Sequence, residues 1–157
     1  MILPDNLPSI MHGVQLLGHG GLDKLVYRED LPVPLPDVGD VLIQVTAAGV
    51  NNTDINTRIG WYSKSVTTDT EAGGADGFQV VDDEDASWMG VPLKFPRIQG
   101  ADICGRIIGV GAGVDPARIG ERVLVQTMQP LRDATQITCM TIGSEYDGGF
   151  AQYAVAK

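Results

Sequence analysis

Cysteine is nearly absent from these 157 residues: Cys104 and Cys139 are the whole supply, and neither belongs to a C-x-x-C pair. A disulfide scaffold and a four-cysteine zinc lobe are therefore both unsupported. Cys104 alternates with Ile103 and Gly105 in an apolar run and reads as a buried structural thiol, while Cys139 has nothing electropositive beside it in sequence to activate it. Histidine is as scarce. His12 and His19 lie near the first strand and its turn, with no ligand or triad partner at a useful spacing, and read as surface or satisfied structural residues. Positive charge is also short: 11 basic against 20 acidic residues leave a net charge of -9. Such a surface repels phosphate backbones and anionic lipids, so nucleic acid and membranes are poor partners and a small-molecule substrate is the better expectation. No apolar run approaches the roughly 20 residues needed to span a bilayer. The first residues form neither a basic n-region nor an apolar h-region, and a cytoplasmic location is expected.

What the chain does have is glycine and proline, twenty and nine of them, with 43% hydrophobic residues. At this length one well-buried domain is expected, and the load of turn-forming residues favours strands over long helices. Apolar runs mark strands at Met11 to Leu17, Leu25 to Tyr27, Val41 to Ala48, Ile103 to Val110, Arg122 to Thr127 and Phe150 to Ala156. Pro32, Pro34, Pro36, Asp37 and Gly39 make the connector before the third an extended, turn-rich segment. One short helix follows that strand. Asn51 or Asn52 can cap it, Asp54 places a negative charge in its first turn and Gly60 can end it. On that helix Asp54 and Arg58 have the spacing of an i,i+4 ion pair.

Residues 63–94 break the rhythm with seven acids and no basic residue between Lys64 and Lys94. They read as an acidic loop insertion that is mobile over residues 66–86, either as a solvated surface loop or as a lid. Its second half, Asp82 to Met89, has the makings of a helical turn that packs Trp88 onto the body. The spaced glycines of Gly109-Val110-Gly111-Ala112-Gly113 suggest a dinucleotide fingerprint, but Asp115-Pro116 and Gly120 argue for a turn into the next strand instead of the helix that fingerprint needs.

Several short motifs occur in a telling order. They are Gly49-Val50-Asn51 with Asp54; Gly60-Trp61-Tyr62; and Gly100-Ala101-Asp102 followed by Gly105, Ile108, Val110 and Gly111. Ile119-Gly120-Glu121-Arg122-Val123 and Gly148-Gly149-Phe150-Ala151-Gln152-Tyr153 complete the set. Together they resemble the medium-chain dehydrogenase/reductase family, and within it the quinone oxidoreductase branch. The resemblance implies a mainly β fold with a few short helices: a GroES-like, partly open β-barrel over residues 1–157. It further implies a Rossmann domain downstream that binds NAD(P)H and provides any homodimer contact.

Zinc-bearing members of that family take a cysteine where this chain has Asn51 and a histidine where it has Ala101. An amide is a poor zinc ligand and a methyl group is none, so no zinc is expected. The resemblance then implies a zinc-independent oxidoreductase, of the quinone oxidoreductase or alcohol dehydrogenase type, acting on a carbonyl or activated double bond. Asn51, Tyr62 and Thr53 would be its catalytic residues, with Asn51 and Asn52 toward the cofactor. Thr53 keeps the hydroxyl that alcohol dehydrogenases use as a proton relay. Each has a plainer reading: Asn51 as a helix cap, Tyr62 as a half-buried aromatic, Thr53 as a first-turn residue. The branch usually has a bulky apolar pair where Asn52 and Thr53 stand and an aromatic at Asn56, so this cleft is more polar and a quinone is not the assured substrate. The alternative function is a non-enzymatic GroES-like binding or assembly module.

Overall fold

The computed structural model describes residues 1–130 and 139–157. It contains nine strands and one α-helix among those residues: β1 (Ile10–Leu16), β2 (Leu25–Pro32), β3 (Val41–Gly49), α1 (Asn52–Ile59), β4 (Arg97–Ile98), β5 (Asp102–Val110), β6 (Arg122–Leu124), β7 (Met128–Pro130), β8 (Cys139–Thr141) and β9 (Tyr153–Ala156). They form three open sheets in the orders β2-β1-β4, β6-β5-β3-β9 and β7-β8. A single bridge from Gly13 of β1 to Ala151, just before β9, ties the first sheet to the approach of the second, and another joins Ile2 to Val110 at the end of β5. The mainly β reading holds.

The central pair is β3 with β5, antiparallel from Val41 opposite Val110 to Gly49 opposite Asp102. In β5 the side chains of Ile103 and Ile107 point inward at every second or fourth position, the period of a half-buried strand. The first half of β3 is buried on both faces, as its unbroken Val41-Leu42-Ile43 run anticipates. Val41 and Ile43 join Ile103, Ile107 and Ile142 in one core cluster, and Leu42 joins Met11, Leu31 and Ile98 in a second. Each fully buried aliphatic side chain contributes about 1.5–3 kcal/mol. The second half of β3 is largely exposed and leads straight into α1, so the rigid sheet delivers the helix N-terminus to the surface.

β2 runs five residues beyond the Leu25 to Tyr27 expectation because Arg28, Glu29 and Asp30 form an exposed sheet edge. Charges are the usual protection of such an edge. β4, β7 and β8 went unforeseen; two or three residues are too few to show a period. The stretch read as one strand from Arg122 to Thr127 ends at Leu124. After Val110 the chain turns through Gly111 to Asp115 into a 3-10 turn at Pro116–Arg118 and then β6, so no helix follows the spaced glycines. A Cβ on Gly111 would lie 1.7 Å from the Asp37 carbonyl oxygen. Gly111→Ala must therefore push two backbone segments apart, and an unfolding free energy lowered by about 1–3 kcal/mol, read by chemical denaturation, is expected. No helix among the described residues is long and apolar enough to cross a membrane.

Residues 63–94 hold no strand and only one 3-10 turn, Thr70–Gly73, in keeping with an inserted loop. The acids are not simply solvated. Asp69 accepts from the Ala72 N–H at 3.0 Å and Asp82 from the Glu84 N–H at 3.0 Å, so these carboxylates hold local turns, while Asp85 accepts from the Lys64 N–H at 3.3 Å across the loop. The loop is pinned to the body as well. The Phe78 N–H donates to the Ile59 carbonyl at 3.0 Å, Met89 N–H donates to Glu145 at 3.2 Å, and Ala86 and Ser87 are fully buried.

Candidate functional site

The site is built at the start of α1. Asn51 is the N-cap, with extended backbone. Its Oδ1 accepts from the Thr53 N–H at 3.4 Å, and the Asp54 carboxylate returns to accept from the Asn51 N–H at 2.8 Å. These reciprocal bonds satisfy donors that a helix start leaves orphaned. Gly60, at φ 78°, ends the helix in the left-handed region, and the Trp61 N–H reaches back to the Asn56 carbonyl at 2.9 Å. The sequence boundaries of this helix are thus correct to within a residue.

Asp54 does more than cap. It is only 5% exposed, and its Oδ1 also accepts from the Gly100 and Ala101 N–H groups at 3.0 and 3.3 Å, while Gln99 Nε2 donates to its carbonyl at 2.8 Å. One side chain therefore fixes α1 to the loop between β4 and β5. The Asp54–Arg58 pair does not form. Arg58 turns away and donates to the carbonyls of Gly20 and Ala75, because Asp54 is committed to buried N–H groups that have no strand partner.

Burial raises the Asp54 pKa above 3.8, opposed by the three N–H groups and assisted by the neighbouring Asp102 charge. The folded state then binds its proton more tightly than the unfolded chain. Its contribution to stability is fully present below the unfolded pKa and is lost as pH rises through the higher folded value. Chemical denaturation of wild type and Asp54→Asn between pH 3 and 7 should show the wild type losing relative stability as pH rises; the opposite slope refutes this.

Asp102 stands opposite Gly49 in the β3–β5 register, which brings it beside the helix cap. Its Oδ2 accepts from Asn51 Nδ2 at 2.9 Å. Asn51 is thereby fixed at both ends, with one Nδ2 hydrogen on Asp102 and the amide oxygen on the helix. The Thr53 Oγ1 and Tyr62 Oη atoms are 2.9 Å apart in a hydrogen bond that either can donate. Tyr62 lies edge-on to Trp61 at 5.6 Å between centroids and to Trp88, from the insertion, at 5.2 Å. The turn that holds Trp88 against the body matches the sequence expectation, although it is not helical.

Asn51, Thr53 and Tyr62 are thus brought into one connected arrangement, with Asn52 exposed beside it. Asp102 is the member missed from sequence as part of this arrangement; matching the ends of the two strongest strands is the signal that would have found it. Asn56 is half-buried one turn along the helix, and its Oδ1 has no donor among the described residues. Ala101 is 1% exposed, so no polar side chain occupies its position. Among the described residues no three His, Cys, Asp or Glu side chains are grouped to hold a metal.

The scarce residues take structural places. The His19 Nδ1–H donates to the Thr57 carbonyl at 2.7 Å with its ring on Phe95, and burial lowers its pKa below 6.5. His12 is bonded through Nδ1 to the Tyr27 hydroxyl at 2.8 Å. Cys104 and Cys139 are free thiols, both half-buried, so Cys104 is less enclosed than expected. A cavity of about 400 Å³ lies elsewhere, lined by Met11, Leu31, Ile98, Tyr146, Tyr153 and Lys157 among others. It contains none of Asn51, Thr53, Tyr62 or Asp102.

Among the described residues the body is mainly β, built of open sheets with one capped α-helix. The alcohol dehydrogenase GroES-like domain family matches residues 37–157, and the chain belongs to it and so to the medium-chain dehydrogenase/reductases. Human quinone oxidoreductase is 28% identical over 148 residues, 94% of this chain and 32% of that protein. A candidate alcohol dehydrogenase from Sinorhizobium meliloti 1021 is 42% identical with a TM-score of 0.74, covering 96% of this chain and 39% of that one. A short chain alcohol dehydrogenase from E. coli CFT073, complexed with NADH, is 25% identical with a TM-score of 0.66, covering 95% and 36%. An alcohol dehydrogenase from Pyrobaculum aerophilum, with cobalt and zinc bound, is 25% identical with a TM-score of 0.65, covering 94% and 39%. The chain spans about a third of the length of these relatives.

Proposed function

We propose that this chain is the substrate-side domain of a zinc-independent, NAD(P)H-dependent oxidoreductase that reduces a carbonyl or an activated double bond. The observation that carries the reading is the doubly anchored Asn51, whose remaining Nδ2 hydrogen has no acceptor among the described residues. Quinone oxidoreductase and alcohol dehydrogenase relatives support the reaction class, and the NADH complex of one relative supports the cofactor. The non-enzymatic module gains no support from any of them. Because the relatives are about three times as long, we assign most of the cofactor grip to a Rossmann domain outside these residues.

Asn51 and Asn52 are both exposed at the helix start, where the second lone pair of Asn51 Oδ1 would accept from the carboxamide of a nicotinamide and the Asn52 amide would both donate and accept. Bound there, the nicotinamide supplies the hydride. The domain's own residues meet the charge that develops on the substrate oxygen. The free Nδ2–H of Asn51 is preorganised by Asp102 and the cap, so it costs little reorganisation when the charge appears. When Thr53 donates to Tyr62, the Tyr62 hydroxyl hydrogen is free for the same oxygen. As Tyr62 gives that proton up, Thr53 passes its own along and recovers one from solvent.

Zinc does not fit this site. One former ligand position is an amide already bonded to Asp102, and the other is a buried methyl group. The test of the function uses the full-length protein with nicotinamide deuterated at C4: transfer of deuterium to carbon of an added enone or aldehyde is expected. Consumption of no acceptor across enones, quinones and aldehydes would refute it.

A further inference from the structure

The acidic insertion places an indole at the mouth of the site, and it does so with a rigid mount. Trp88 is 49% exposed, yet the residues just before it, Ala86 and Ser87, are 0% and 1% exposed. Ser87 Oγ accepts from the Val91 N–H at 3.1 Å and closes the turn, and Met89 N–H is held by Glu145 across the molecule. The exposed face of Trp88 is therefore not a loose surface aromatic. Its ring meets Tyr62 at 89° and 5.2 Å, and the Tyr62 hydroxyl is the atom that bonds Thr53. An apolar wall thus stands beside the proton-donating group, contributed by the insertion.

Asp82, Asp83, Glu84 and Asp85 lie three to six residues before Trp88. Four successive carboxyl groups at that rim disfavour an anionic ligand. A half-exposed indole held edge-on to a tyrosine offers a face or edge to a flat ring, an arrangement aromatic pairs prefer. Short aliphatic acceptors have no such surface to offer.

Building on the oxidoreductase reading above, we propose that Trp88 is the specificity-determining wall of the acceptor site and selects neutral, planar aromatic acceptors over short aliphatic ones. In the full-length enzyme, cinnamaldehyde and crotonaldehyde carry the same enal and differ in the aryl group. Trp88→Ala should lower kcat/KM for cinnamaldehyde about tenfold and leave that for crotonaldehyde within about twofold, while Trp88→Phe should retain most of the preference. A second readout is independent of turnover: the fluorescence that separates Trp61→Phe from Trp61→Phe/Trp88→Phe belongs to Trp88, and cinnamaldehyde should quench that component saturably. Equal losses on both aldehydes, or an unchanged ratio, would overturn the role of Trp88 while leaving the oxidoreductase reading intact. Should neither aldehyde turn over, binding decides: quenching that stays linear with concentration overturns the proposal, and saturable quenching upholds it.

Discussion

Asn51→Ser in the full-length enzyme is expected to slow hydride transfer by about 10²- to 10³-fold, the usual loss on removing one preorganised donor to a developing oxyanion. Serine is as good an N-cap as asparagine, so α1 keeps its start and the denaturation midpoint should barely move. What disappears is the Nδ2 group that Asp102 orients. Cofactor affinity should change much less than the rate, since the lost interaction strengthens as charge develops. Single-turnover oxidation of NAD(P)H measures this, and a rate within threefold of wild type would reduce Asn51 to a helix cap. Asp102→Ala leaves the donor in place but releases it, and an intermediate loss in kcat with an unchanged KM for cofactor is expected of a positioning residue.

Asp54→Ala should unfold or severely destabilise the domain. It strands the N–H groups of Asn51, Gly100 and Ala101, of which the last two lie in a buried loop. At about 1–3 kcal/mol for each buried group left unmade, the sum is a large part of a small domain's total stability. Asp54→Asn keeps one carbonyl oxygen and should be distinctly milder. Urea denaturation of both variants separates the cases; equal and small losses would show that water replaces the carboxylate without cost.

The parts of this architecture that sequence made legible are those with a period or a cap. Val41 to Ala48 and Ile103 to Val110 announce themselves by apolar runs, and Asn51, Asp54 and Gly60 mark both ends of α1 by capping chemistry. Short strands such as Arg97–Ile98 are invisible because their existence is decided by partners far along the chain, here Gln15 and Leu16. The same holds for side-chain choices. The i,i+4 spacing of Asp54 and Arg58 is a weak preference of about 0.2–0.5 kcal/mol, readily outbid by buried backbone groups that only the tertiary structure brings near. In the acidic insertion, likewise, a count of charges does not reveal that Asp69 and Asp82 hold turns or that Asp85 accepts from Lys64 across the loop.

The claim on which the rest depends is that the oxygen of the substrate is met by side-chain donors and not by metal. The most direct measurement is elemental zinc per chain on full-length protein purified without a metal-affinity tag, taken together with NAD(P)H-dependent reduction of its best acceptor before and after chelation. The account predicts well under one zinc per chain and a rate that chelation leaves unchanged. Stoichiometric zinc, with activity lost to the chelator and restored by adding zinc, would contradict it.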